Sequence, residues 1–562
     1  MAPGADRTNS QEVAMRPVEA LLQVLRDEGV TKVFGNPGTT ELPFLDALVE
    51  AGDIEYILGV HEGSVVAMAD GYARATRRPA FVSLHIAAGL ANGLVGLLNA
   101  SRSRTPLVVT AGQQDRRHLV QDPMLSGDLV GLARPAVKHA FDVQHAFDLP
   151  ILLRRAFALA TRPPAGPVLL AIPMDLLAED VAVDLPSRTV ATPLGPAARI
   201  SDTADLLAAA ARPAIVAGDG VGREGAMSAL VDVAERIGAV VYHQPMNDGV
   251  NFPGNHPLFA GALVPKNAEI NRVLSAHDVV FIVGCHAFMP HHYTPGPAVP
   301  PTTTVIQLDS DPNEIGRNFG VRLGLVGDIT PTLSALADSL LNRVPQAAER
   351  IADADERHRR YRADREVAAR SGYGRAPLEP LAAVHTIAAN LPDNAVVVEE
   401  AITSGVLLRD VLRQDKPLSY VHTIGGGLGH GIGAAIGSRL GNPERPVIAV
   451  LGDGCTMFGL QGLWNAGRDR LPVTFVVMNN GEYRTLKETL DSWHSRSTRT
   501  GRYLGLDLSP TRLNFTKAAE FFGIDGVRVD NTAELAEAIT KAAHRDAPLL
   551  VDVPITGHGR QS

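Results

Sequence analysis

Two stretches of this chain, far apart in the sequence, carry the same parts in the same order. "RPAFVSLHIAAGLANGLVGLLNASRSRTPLVVTAGQQ" begins at Arg78 and "RPVIAVLGDGCTMFGLQGLWNAGRDRLPVTFVVMNNG" begins at Arg445. In each, Arg-Pro opens an apolar strand, a polar or Gly-rich turn follows, a helix ends in Asn-Ala, and a proline introduces the next strand. Asn99-Ala100 and Asn465-Ala466 occupy corresponding places. The offset is far too long for a solenoid repeat, so the recurrence predicts two whole domains of similar fold with a different one between them. A chain of 562 residues exceeds a single core and suits three domains of ordinary size.

Short apolar runs alternate throughout with longer Ala- and Leu-rich helical patterns, which is the signature of βα units and parallel sheets. "RPAIVAGDGVG", "GAVVYHQ", "HDVVFIVGCHAF" and "TTTVIQLDSDP" are such strands in the middle of the chain. The expected class is α/β: three domains, each a mainly parallel sheet with helices on both faces, the outer two of similar fold. Boundaries are expected near 14–185, 198–341 and 376–557. Between the first two domains, "VDLPSRTVATPLGPA" turns Pro-rich and aperiodic, as a linker does. Between the second two, the run from Asn342 to Arg375 is densely charged and predicts an exposed connecting helix.

Composition narrows the function classes. Lys and Arg number 52 against 61 Asp and Glu, so no basic excess points to nucleic acid. No apolar run approaches the ~18 to 20 residues that span a bilayer. Cys285 and Cys455 are the only cysteines, too few for a disulfide framework and consistent with a reducing cytoplasm. The opening "MAPGADRTNSQEVAM" has no apolar centre and reads as a disordered start rather than a secretory signal.

The second copy of the recurring pattern holds the chemistry. In an open parallel sheet, ligands bind beyond the carboxyl ends of the strands. "VIAVL" leads directly into Gly452-Asp453-Gly454, and "VTFVVM" into Asn479-Asn480. If these strands are neighbours, a carboxylate and an amide oxygen meet near one point. Mg²⁺ takes a few such oxygens from protein and the rest from water and phosphate. Glycines at 452 and 454 permit close backbone approach, and the following helix start favours an anion such as a diphosphate. Taken separately, Gly-Asp-Gly and Asn-Asn-Gly are each turn sequences. A dinucleotide reading competes, because "GLGHGIGAA" contains Gly429-x-Gly431-x-x-Ala434 with Asp453 some twenty residues on. It leaves Asn480 without a role.

"GDGCTMFGLQGLWNAGRDRLPVTFVVMNN" resembles the diphosphate and metal motif of the thiamine diphosphate-dependent enzymes, and the resemblance extends over nearly the whole chain. It implies a pyrimidine-binding domain, a middle domain and a diphosphate-binding domain, in that order. It further implies thiamine diphosphate and Mg²⁺ as cofactors, with Asp453, Asn480 and the main-chain carbonyl of Glu482 as metal ligands. Thr403, Gly454, Cys455 and Tyr483 are assigned to cofactor binding on the same basis. "GVHEGSVVAMADGYAR" places Glu62 just before an apolar helix. Alone it is a helix cap; by resemblance it bonds the cofactor's aminopyrimidine, where an acid in apolar surroundings can hold a proton. In "TIGGGLGHGIG", Leu428 is the bulky residue beneath the cofactor and the Gly426 carbonyl accepts from the pyrimidine amine.

Within the family, "VFGNPGTTELPFL", "LHIAAGLANG", "PLVVTAGQQ", "PHHYTPG" and "IGGGLGHGIGAAIG" resemble the benzoylformate decarboxylase branch. That branch implies non-oxidative decarboxylation of a 2-oxo acid, releasing CO₂ and an aldehyde. Glu62 activates the cofactor, Thr39 hydrogen-bonds the substrate carboxylate, and His85 and His291 handle protons, with His292 an alternative to His291. Thr39 stands where the branch has Ser, and His422 and Thr489 stand where it has substrate-facing Phe, so the acid need not be aromatic. A carboligase or lyase of the acetolactate synthase or benzaldehyde lyase type is the alternative, as are a non-catalytic homolog and a flavin-binding middle domain. The family shares each active site between two subunits, so the expected partner is a second copy of the chain, a dimer at minimum and a tetramer in the family's usual form. The other partner is a small 2-oxo acid; no nucleic acid or membrane is expected, and the compartment is the cytoplasm.

Overall fold

The computed structural model describes residues 15–508 and 513–558. The disordered start expected at the N-terminus lies, but for Met15, outside the described residues. Two compact units make up the structure: the residues up to Ala73 with Arg78–Ala191, and those from Thr192 onward with Arg74–Arg77.

The first unit is built on a six-stranded parallel sheet. Its strands are β1 (Lys32–Gly35), β2 (Glu55–Leu58), β3 (Ala80–Leu84), β4 (Leu107–Gln113), β5 (His139–Asp142) and β6 (Val168–Pro173). Every residue of β3, β4 and β6 is buried, as strands covered on both faces must be. The spatial order is β2-β1-β3-β4-β6-β5. The chain therefore reverses direction across the sheet between β1 and β3, and a crevice opens beyond their carboxyl ends.

The second unit holds two further parallel sheets. The middle one comprises β7 (Pro213–Ala217), β8 (Val240–His243), β9 (Phe259–Ala262), β10 (Val279–Val283), β11 (Thr304–Asp309) and β12 (Leu323–Val326). Alternate residues feed separate cores: Ile215, Ala217, Phe281 and Val283 face one, while Ala214, Val216, Val280 and Ile282 face the other. That period of two is why these runs read as strands with helices on both faces. The last sheet comprises β13 (Val396–Glu400), β14 (Tyr420–His422), β15 (Val447–Gly452), β16 (Val473–Asn479), β17 (Asp525–Arg528) and β18 (Leu549–Pro554).

The order of the last sheet, β14-β13-β15-β16-β18-β17, repeats that of the first position by position. The recurring pattern seen in the sequence is β3–helix–β4 in one and β15–helix–β16 in the other. Both asparagines of Asn-Ala are buried. The middle sheet runs β12-β11-β10-β7-β8-β9, a different topology that reverses between β7 and β10. The charged run forms the helix Ala347–Arg370, of which only Ala354 and Ala369 are buried. Edge strand β14 is not left open: the His422 N–H donates to the Asp248 carbonyl at 3.1 Å, and Val250 from the same middle-domain loop packs into the last domain's core. No helix among the described residues is long and apolar enough to cross a membrane.

Candidate active site

In the first unit, the crevice between β1 and β3 collects acid–base side chains. Glu62 is the first residue of the helix Glu62–Thr76, not the residue before it, and is buried. Its surroundings are less apolar than the sequence implied. Asn36, directly after β1, donates its amide to Oε1 at 2.9 Å, and Asn92 on the helix Ile86–Arg102 donates to Oε2 at 3.0 Å. A Cβ on Gly89 would stand 3.0 Å from Oε1, so the helix backbone crowds the carboxyl group as well.

His85 directly follows β3. Its Nδ1 lies 2.9 Å from Glu41 Oε2 and 3.2 Å from the Thr40 hydroxyl, which itself donates to Glu41 Oε1 at 2.6 Å. Facing an acceptor-only carboxylate, Nδ1 carries the proton and Nε2 is left for other partners. A Cβ on Gly38 would stand 2.1 Å from Nδ1, so only glycine fits against this ring. The next residue, the β-branched Ile86, has φ 45°, a conformation that costs energy and that clusters at functional sites. Thr39 begins a 3₁₀ turn with an exposed side chain, whereas the hydroxyl touching His85 belongs to Thr40. Asn36, Glu41 and Asn92 were not singled out from the sequence; Glu41 was discoverable as the acid three residues after Gly38 in "NPGTTE".

A cavity of about 640 Å³ lies elsewhere in this unit, beside Met174. Its charges are spent on one another, Arg116 on Asp175 and Glu179, and Arg117 on Asp115, and none of the candidate residues lines it.

In the second unit, β15 and β16 are direct neighbours, with Gly452 paired to Met478. Asp453 and Asn480 are thereby brought together as expected. The Asp453 carboxylate is buried and accepts three backbone N–H bonds, from Gly454 at 2.7 Å, Asn480 at 3.0 Å and Gly481 at 2.6 Å. Burial nevertheless pushes its carboxyl up to about 6, the N–H groups pulling it down and the charge of Glu482 adding to the rise. Asn480 Oδ1 accepts from the Glu482 N–H at 3.0 Å, closing the turn that follows β16. Gly454 is required because a Cβ there would stand 2.8 Å from the Tyr483 ring. Cys455 is buried in the same first helical turn, and burial together with the charge of Glu400 drives its thiol far up, which makes it an inert packing group. Thr403 is half-buried in the first turn of the helix Ile402–Val411.

The glycine run precedes the helix His430–Gly441. Gly426 is exposed with φ 78°, and Leu428 is half-buried. The dinucleotide reading fails here. Glu400, at the end of β13, accepts from the N–H groups of Gly429 (2.8 Å), His430 (3.2 Å) and Gly431 (2.8 Å), so a carboxylate already occupies the place a phosphate would need. The reversal point of the middle sheet is likewise filled. A Cβ on Gly218 would stand 2.3 Å from the Cys285 backbone, and Asp219 is buried beneath bonds from Gln244, Asn251 and the Asp248 N–H.

His291 and His292 are both exposed in the loop after β10, Nδ1 of the first 3.0 Å from Nε2 of the second. His292 is the one that approaches the last domain, its ring 6.4 Å from that of Trp493. His422 is buried and committed to Glu399, with Nδ1 3.2 Å from Oε2, and Glu399 also binds Arg409 and the Tyr420 hydroxyl. The Thr489 hydroxyl is spent on the Thr485 carbonyl.

Three family descriptions match the chain in order. Residues 15–143 match "Thiamine pyrophosphate enzyme, N-terminal TPP binding domain", residues 200–336 the central domain, and residues 403–553 the C-terminal TPP binding domain. The chain belongs to the thiamine pyrophosphate enzymes. Among members of this family, it is 36% identical over 540 residues to benzoylformate decarboxylase of Pseudomonas aeruginosa, a match spanning 95% of this chain and 98% of that protein. It is 29% identical to acetolactate synthase isozyme 3 large subunit of Escherichia coli, over 96% of this chain and 94% of that one. Among solved structures, 4-hydroxybenzoylformate decarboxylase of Rhodococcus jostii superposes with a TM-score of 0.85 at 31% identity, covering 97% of this chain and all of that one. This thiamine pyrophosphate enzyme is thus close to the benzoylformate decarboxylases over at least 95% of its length, and its two outer domains are the ones matched as cofactor-binding.

Proposed function

We propose that this enzyme is a thiamine diphosphate- and Mg²⁺-dependent non-oxidative decarboxylase of a 2-oxo acid of the benzoylformate type, releasing CO₂ and an aldehyde. The observation that carries the reading is the crevice at the ends of β1 and β3, where an amide-held Glu62 and a carboxylate-oriented His85 stand as acid–base groups. Likeness to two decarboxylases of aryl 2-oxo acids supports the substrate class.

The metal fits the residues present. Asp453 is a buried carboxylate, and none of the groups acting most strongly on it is a cation. A hard divalent ion would supply that charge and take oxygens from Asp453, Asn480 and the Glu482 carbonyl. Tyr483 packed on Gly454, with Thr403 and Cys455 nearby in sequence to Glu400 and Asp453, would border the diphosphate. Bound thiamine diphosphate supplies a nucleophilic carbon and the electron sink that lets CO₂ leave. Glu62 holds the proton exchanged with the cofactor's aminopyrimidine, its two oxygens fixed by Asn36 and Asn92. The Gly426 carbonyl and the Leu428 side chain orient the cofactor rings. His85 moves protons through Nε2, because Glu41 engages Nδ1, and His291 or His292 supplies a second proton path. Thr39 offers an exposed hydroxyl to the substrate carboxylate. Two copies of the chain share each site, one giving Glu62 and His85, the other Asp453 and Asn480.

The test is incubation of the enzyme with thiamine diphosphate, Mg²⁺ and a panel of aryl and alkyl 2-oxo acids, following CO₂ and aldehyde. Release of both from an aryl acid is expected. No CO₂ from any acid, with cleavage of 2-hydroxy ketones instead, would replace the decarboxylase by a lyase of the benzaldehyde lyase type, whereas CO₂ with a 2-hydroxy ketone in place of the aldehyde would favour a carboligase of the acetolactate synthase type.

A further inference from the structure

The turn Asn480–Tyr483 is tied down by more of the chain than a turn requires. The Glu482 side chain is buried, as is that of Lys487 five residues on in the helix Arg484–Ser492. Glu482 Oε2 pairs with Lys487 Nζ, which also reaches Asp507. Glu482 Oε1 accepts the backbone N–H of His558, and a Cβ on Gly557 would stand 2.8 Å from that same oxygen. The His558 ring in turn binds Asp491, whose other oxygen takes the hydroxyls of Tyr503 and of Thr498, the latter at 2.9 Å. Backbone bonds complete the frame: Tyr483 N–H to the Leu506 carbonyl at 2.9 Å, and Leu508 N–H to the Gly481 carbonyl at 2.8 Å. Three separate segments thus converge on one turn whose Gly481, at φ 70°, would otherwise let the next carbonyl swing.

We infer that Lys487 is a positioning residue for the metal: by gripping the Glu482 carboxylate, with the Gly557–His558 backbone as second anchor, it fixes the direction of the Glu482 carbonyl. This rests on the proposed role of that carbonyl as a ligand. A buried ion pair costs desolvation and is a poor source of net stability. Its return here is preorganisation of a ligand that a flexible turn could not hold, since outer groups that orient metal ligands are worth about 10- to 100-fold in affinity.

Titration calorimetry of the metal-stripped protein with Mg²⁺ in the presence of thiamine diphosphate tests it without turnover. Lys487→Met is expected to weaken Mg²⁺ binding by at least about tenfold, and Lys487→Arg, which keeps the cation, to restore most of it. Lys541→Met, at an exposed pair with Glu537, should bind as the parent does. If the lone Glu482 charge prevents Lys487→Met from folding, the double variant Lys487→Met/Glu482→Gln removes that charge and keeps the carbonyl; it is expected to bind equally weakly. Binding within twofold of the parent by either variant overturns the inference. Parent-like binding by Asp453→Ala would instead show that the metal site itself is misassigned, and the inference would fall with it.

Discussion

Asp453 is a carboxyl group that titrates near 6 in the fold, against about 3.8 for an exposed aspartate. Between those values the folded chain keeps a proton that the unfolded chain has released. The Asp453 contribution to the stability of the metal-free protein should therefore be full below about pH 4 and be lost as pH rises through about 6, by up to about 3 kcal/mol. Asp453→Asn should make the fall between pH 4.5 and 7 shallower than in the parent, as read from urea midpoints in chelator, the remainder belonging to other raised carboxyl groups such as Glu400. Mg²⁺ should act in the opposite sense and bind more weakly below pH 6, because ligand and proton compete for one carboxylate. Glu62→Gln should lower CO₂ release at saturating cofactor by about 100-fold or more, since an amide cannot exchange the proton; full turnover would rule out its acid–base role. At this scale the charged residues were visible in the sequence because a carboxylate at a strand end is conspicuous. Their partners were not. Asn36, Glu41 and Asn92 acquire meaning only through distances of about 3 Å, and nothing in an Asn read along the chain distinguishes a donor to a buried acid from a turn residue.

The helix His430–Gly441 shows what an element can conceal. Its glycine-rich start suits an anion from outside, yet the anion it holds is Glu400 from the end of β13. Gly429 is required at its N-terminal boundary, with φ 90° and a would-be Cβ 2.8 Å from the Phe458 backbone. Burial lifts the Glu400 carboxyl to about 7 despite its three N–H donors. Glu400→Ala should leave those buried donors unpaired and cost about 3 kcal/mol or more, measured by urea unfolding; a loss under about 1 kcal/mol would mean that water replaces the carboxylate. The elements themselves were largely legible, because fully buried strands read as unbroken apolar runs and β15 and β16 each end abruptly in polar residues. The plug was not, since Glu400 and Gly429 lie 29 residues apart in the chain and meet only through the packing of helix against sheet.

Across the whole molecule, the identical strand orders of the first and last sheets make the outer domains two versions of one scaffold, each with a reversal point that concentrates chemistry at its strand ends. One carries the proposed proton-handling groups and the other the proposed metal site. If two copies share each site, Glu62→Gln and Asp453→Ala should complement one another. Mixed after dissociation, two inactive variants would form hybrid dimers in which one site carries both changes and the other neither, restoring about a quarter of parental activity; no recovery would argue for sites complete within one chain. What the sequence by itself determined was the alternation of strands and helices, the recurrence that makes the outer domains alike, and the residues at the strand ends, because each is written in local periodicity and spacing. Only the tertiary structure decided that β15 lies beside β16, that Glu400 closes a helix start, and that His422 turns to Glu399. Those are pairings between segments distant in the chain, chosen by burial and hydrogen bonding in the assembled core.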